Sequence, residues 1–222
     1  MPLLLQDRQI AHISFWSETE RARLSPSPEE EYKPEPQQFP PSVGSYFVMA
    51  QGCEMQADSF SVKGTFAAVV NEGFQIKGSY VVAHTLGYRS TEQRFSVLSE
   101  TPMGNLSYID GCSNTNLIDP ARNGEACLNY LFFPHGIKQT HHTHPSYRIG
   151  FVLSGRGLAD IGPGEEAVPL VAGSAFILGR HTRHRFRTPP DQSMSLMVFH
   201  PDSEDGPRDQ ANPMRTRTYL SG

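Results

Sequence analysis

The chain has 222 residues, 19 Lys and Arg against 23 Asp and Glu, and a formal net charge of −4. It is long enough to bury one substantial core, and no overall charge recruits nucleic acid or an anionic membrane. Its 19 Gly and 18 Pro break the apolar runs into short pieces, which favours many short strands over long helices. The cysteines Cys53, Cys112 and Cys127 are widely spaced and odd in number, so they read as thiols of a reducing compartment. The opening Met1-Pro-Leu-Leu-Leu is cut off by Gln6, Asp7 and Arg8, too early for a signal peptide or a span. The cytoplasm is the expected location.

Residues 1–42 read as an arm or linker. A short helix is expected around 13–24. The run Ser25-Pro-Ser-Pro-Glu-Glu-Glu-Tyr-Lys-Pro-Glu-Pro that follows cannot propagate a helix and buries little. Such an arm is suited to packing on a barrel or on a partner chain, so a homodimer is expected. Residues 43–93 are β-rich, with strands expected over 45–50, 64–70, 73–77 and 79–84. They form either an extension lengthening the sheets of one barrel or a degenerate first half of a two-barrel protein. Their one histidine, His84, reads as a hydrogen-bonded sheet residue. Residues 94–205 carry eight candidate strands, 95–99, 106–109, 127–133, 147–153, 158–161, 175–178, 184–187 and 195–199. Short, evenly spaced strands of this kind build a sandwich or barrel. Residues 206–222 form a polar, finally basic tail with Arg215 and Arg217.

Seven of the nine histidines fall between His135 and His200. His142 and His144 are two apart, so on a strand their side chains share a face about 7 Å apart along it. His184 lies forty residues beyond His144 and sits on another expected strand. Three imidazoles converging from two strands make a facial metal set with positions left open, the pattern of a catalytic site. By the same alternation Arg148 faces inward with His142, His144, Ser146 and Gly150. A guanidinium cannot ligate a cation, but it clamps a carboxylate, phosphate or sulfonate. Tyr108 and Tyr130, on neighbouring strands, are candidate catalytic residues in the cavity. Phe132, Phe176, Phe186 and Met197 read as core. His135, His141 and His181 read as packed or surface residues, Arg185 and Arg187 as surface or interface charges. His200 either supports a ligand or closes its strand.

The spacing resembles the cupin superfamily. Gly136, His142, His144 and Gly155 fall in register with its first motif, and Gly173 and His184 with its second. Gly179, His181 and Thr188 stand where the second motif has Pro, Gly and Asn, and Arg148 stands where the first has its glutamate ligand. The resemblance implies an all-β double-stranded β-helix, or jelly roll, holding one metal on His142, His144 and His184. It further implies an Fe(II) dioxygenase for a small anionic or chelating substrate, with Zn, Ni, Mn or Cu as other occupants. The His-x-Asp pattern of 2-oxoglutarate-dependent oxygenases is absent. A redox-neutral lyase or isomerase and a non-catalytic small-molecule-binding cupin are the alternatives. No nucleic acid or membrane partner is expected.

Overall fold

The computed structural model describes residues 12–16, 36–86, 88–99, 103–120, 125–162, 164, 166–202 and 219–220. The chain divides into two compact units, Met1–Glu100 and Thr101–Gly222.

The first unit is one antiparallel sheet. It contains β1 (His12–Trp16), β2 (Gln37–Phe39), β3 (Ser45–Ala57), β4 (Ser61–Val70), β5 (Phe74–Thr85) and β6 (Arg94–Val97). Their order is β1-β5-β3-β4-β6, with β2 also on β5. Alternation puts Tyr46, Val48 and Ala50 on one face, and a bulge between Ala50 and Cys53 then moves the inward phase to Cys53, Met55 and Ala57. Gly52, at φ 61°, sits in that bulge. All six residues stay in one buried cluster, which fixes the register because a one-residue slip would invert the face. Residues 73–77 and 79–84 join into the single strand β5 through Gly78, at φ 120°. A Cβ there would lie 2.8 Å from the Cys53 Cα. The helix expected over 13–24 is not present where the structure describes it. Residues 12–16 are strand β1, which pairs with β5 with Ile13 opposite Ala83, and residues 17–24 lie outside the described residues. The strand expected to open the barrel, 95–99, is β6 and pairs with β4. Among the described residues these strands pair with one another in a single sheet.

The second unit begins with β7 (Leu106–Ser107), a 3-10 turn at Ile109–Gly111, β8 (Ser113–Ile118) and β9 (Cys127–Phe133). There follow β10 (His142–Thr143), β11 (Arg148–Ile161), β12 (Glu166–Val171), β13 (Ala175–Leu178), β14 (His184–Arg187), β15 (Met194–His200) and β16 (Tyr219–Leu220). The pairing order is β16-β10-β14-β11-β15-β9-β8-β7, with β12 and β13 also on β11. This is an all-β antiparallel jelly roll, and β11 is its organiser. Its first half pairs with β13 and β15, its second with β12 and β14, so one strand serves both walls. Where two strands are expected, 147–153 and 158–161, the chain bends without stopping, through a register shift after Val152 and Gly155 at φ 72°. The shift moves the inward phase from Gly150 and Val152 to Ala159 and Ile161. Strands β8 and β12 have no counterpart in the sequence reading. Pro169 disguises β12 but is tolerated because, among the described residues, that strand pairs with β11 alone. The core, including Phe133, Val152, Leu170, Leu178, Phe186 and Leu196, fills the space between the walls. Each large side chain so buried contributes about 1.5–3 kcal/mol.

Candidate metal centre

His142 lies directly opposite His184 in the β10–β14 ladder, and His144 follows two residues on. The ring centroids of His142 and His184 are 4.4 Å apart, and His144 is 5.1 Å from each. One nitrogen from each ring lies within 4.8 Å of the other two. All three are buried, at 2%, 6% and 1% exposure. The alternation read from the sequence brings them together as expected.

Local hydrogen bonds set their protonation. His142 Nδ1 lies 2.9 Å from the Thr140 carbonyl, and His184 Nδ1 lies 2.8 Å from the Thr182 carbonyl. A carbonyl only accepts, so in each neutral ring Nδ1 carries the proton and Nε2 keeps its lone pair. His184 Nε2 is buried without a hydrogen-bond partner. Burial, chiefly, lowers the pKa of both rings, and that of His184 is pushed down to about 3 with the help of neighbouring His142. Both are therefore neutral at pH 7, the state a metal needs. His144 is held through its backbone. The His181 amide donates to its carbonyl at 2.7 Å, and Arg180 Nε donates to the Pro145 carbonyl at 3.2 Å. His181 has φ 53°, a left-handed conformation that explains why the resembled motif carries Gly at this position. Thr188, in place of the motif's Asn, accepts from the Ile137 amide at 3.0 Å and donates to the Pro134 carbonyl, tying down the loop before β10.

The cavity beside the histidines is lined by Tyr108, Gln139, Arg148, Phe176 and His200 among others, and encloses about 20 Å³. That is room for an ion or a single water. Arg148 is 2% exposed and enters this cavity, as alternation predicts. Its Nη1 donates to the Ser146 carbonyl at 3.1 Å, to the Ser146 hydroxyl and to the Tyr147 carbonyl at 2.9 Å, which fixes the guanidinium plane. Gly150 is required two residues on, because a Cβ there would fall 2.1 Å from the Phe176 ring.

Tyr108 lines the cavity, but Tyr130 does not. Leu131 and Phe133 line it, so alternation along β9 sends Tyr130 to the opposite face, towards Ser195. Phe176 and Phe186, read as core, belong to the core and also form the cavity's apolar wall, whereas Phe132 and Met197 lie outside the lining. His200 joins the cavity wall. Arg185 and Arg187 hold the 3%-exposed carboxylate of Asp160 through their Nε atoms, at 2.8 and 3.0 Å. Sequence reasoning missed Gln139, which is 1% exposed. Its Oε1 accepts from the Phe186 amide at 3.2 Å and its Nε2 donates towards Cys112 Sγ at 3.5 Å. No periodicity marks it.

The donor set fits a divalent first-row ion: three buried imidazoles, two of them neutral with the proton on Nδ1, beside an ion-sized space. No carboxylate is among the lining residues, so an ion here would share the cavity with the Arg148 cation.

Residues 130–200, from within β9 to the end of β15, match a family model described as a cupin domain. No curated protein matches the chain. Among solved structures, a cupin 2 conserved barrel domain protein from Leptotrichia buccalis is 13% identical, with 90% of this chain and 86% of that one covered and a TM-score of 0.57. A salicylate 1,2-dioxygenase from Pseudaminobacter salicylatoxidans is 10% identical over 99% of this chain and 90% of its own, with a TM-score of 0.56. The same enzyme as a gentisate adduct is 10% identical over 100% and 88%, with a TM-score of 0.58. At these identities the likeness is one of fold.

Proposed function

Because this chain belongs to the cupin superfamily through its C-terminal barrel, we propose that it is a metal-dependent enzyme, a mononuclear non-haem Fe(II) dioxygenase for a small anionic or chelating substrate. The convergence of the three buried histidines carries the reading. His142, His144 and His184 would hold the ion. Bound there, iron would supply the electron transfer that side chains cannot, allowing dioxygen to react with an organic molecule.

The chain's own residues supply the rest. Arg148 offers a fixed cation to the substrate's anionic group, and its anchoring by Ser146 and Tyr147 removes the cost of ordering it. Phe176, Leu178 and Phe186 present an apolar wall that keeps water from the reacting centre. The enclosed space is small, so an organic substrate enters only as cavity side chains move. A salicylate dioxygenase shares the fold, which makes hydroxybenzoates a sensible start to a substrate panel. A redox-neutral lyase or isomerase is the second reading. It is favoured by Tyr108, whose hydroxyl-bearing ring lines the same cavity and could move a proton.

The test is oxygen uptake by Fe(II)-reconstituted protein across a panel of small carboxylates. Stoichiometric oxygen consumption supports the dioxygenase. Product formation without oxygen consumption replaces it with the second reading.

A further inference from the structure

Asp110 stands apart from the cavity, exposed, in the turn between β7 and β8. Its backbone is left-handed, φ 54° and ψ 37°, a conformation that costs most residues energy and that Asp tolerates better than most. The turn is closed on both sides, by the Tyr108 amide donating to the Cys112 carbonyl and the Cys112 amide donating to the Ile109 carbonyl. The result aims the Asp110 carboxylate at Thr140. Its Oδ2 accepts from the Thr140 amide, and its Oδ1 accepts from the Thr140 hydroxyl at 3.3 Å. Thr140 is the residue whose carbonyl accepts the hydrogen bond from His142 Nδ1–H. The chain of contacts runs carboxylate, threonine, imidazole.

We propose that Asp110 is a positioning residue for the histidine cluster, acting through Thr140 to hold His142 in its Nδ1–H tautomer with Nε2 presented to the cavity. Histidine ligands are commonly oriented by a carboxylate or carbonyl on their other nitrogen, and losing such a partner typically weakens metal binding about 10- to 100-fold. Here the two devices are in series. The carbonyl does the orienting, and the anion holds the carbonyl's residue in place from outside the barrel. His184 serves as an internal control. Its Nδ1 is held by Thr182, in a different loop from the Thr140 that Asp110 contacts, so its tautomer should respond less than that of His142.

The inference rests on the metal reading for only one of its two readouts. Asp110→Ala and Asp110→Asn are made in the full chain. Zn²⁺ affinity is measured by competition with a chelating dye, and imidazole tautomers are read by long-range ¹H–¹⁵N NMR on metal-free protein. Asp110→Ala should weaken Zn²⁺ binding about tenfold and give His142 a mixture of tautomers, with His184 disturbed less. Asp110→Asn keeps one acceptor oxygen and should fall between. Unchanged affinity together with an unchanged His142 tautomer overturns the proposal. So does equal disturbance of His142 and His184, which would mean general loosening. If wild-type protein takes up no Zn²⁺, the metal reading fails, and the tautomer comparison still decides the role of Asp110.

Discussion

Replacing Arg148 tests the link between the cavity's charge and its substrate. In wild-type protein the guanidinium is 2% exposed, anchored through Nη1 by Ser146 and Tyr147, and part of the cavity wall. A charge-assisted hydrogen bond from such a group contributes about 1.5–3 kcal/mol to binding an anion. At about 1.4 kcal/mol per tenfold, Arg148→Ala should weaken a carboxylate roughly 10- to 150-fold. The variant also strands the two buried carbonyls that Nη1 had satisfied, so some stability is lost, on the order of 1–3 kcal/mol per unmet group. Arg148→Lys should rescue binding only in part, because an ammonium lacks the planar fork. Arg148→Glu places an acid where the family's fourth ligand stands, and should tighten the metal while suppressing the anion. The assay is calorimetric titration of metal-loaded protein with salicylate as a carboxylate probe, alongside metal content. Equal affinity in wild type and Arg148→Ala, at equal metal content, would refute the anionic-substrate argument and leave the three histidines standing.

Three further outcomes follow from the geometry. Burial holds the pKa of His142 and His184 below that of an exposed imidazole, so the unfolded chain binds protons more readily. Stability of the metal-free protein should thus be full above about pH 6.5 and fall as pH drops below it, for His184 by up to about 1.4 kcal/mol per pH unit until about pH 3, with His142 adding a loss of the same sign. Urea titrations at pH 7, 6 and 5 measure this, and His184→Gln should flatten the slope. Gly150→Ala drives a Cβ into the Phe176 ring and should cost roughly 1–3 kcal/mol, read as a lower melting temperature. We also expect a homodimer, with light scattering at micromolar concentration giving about twice the 24.7 kDa chain mass. A strictly monomeric particle would contradict that.

The site was more legible in the sequence than the fold around it. His142, His144 and Arg148 obey the two-residue period, and the cross-strand meeting of His142 with His184 needs only that both lie on neighbouring strands. Period alone fails wherever a bulge intervenes. Residues 147–161 look like two strands because Ser154, Gly155 and Arg156 are polar and turn-forming, yet β11 runs through them. Residues 94–97 alternate in a way that suits either sheet, and only pairing partners distinguish the two. Strand membership alone puts Tyr130 in the cavity, but its parity within β9 is opposite to that of Leu131 and Phe133. Gln139 and Asp110 sit outside the strands and act through side-chain hydrogen bonds, to Phe186 and Thr140, and such geometry leaves no periodic trace in sequence.

The central claim is that His142, His144 and His184 hold one metal ion. Elemental analysis of wild-type protein and of His144→Ala, each reconstituted with Fe(II) under anaerobic conditions and desalted, tests it most directly. The geometry predicts one ion per chain in the wild type and little in the variant, with the same β-sheet circular dichroism in both. Equal metal in the two proteins, or none in the wild type, would contradict it.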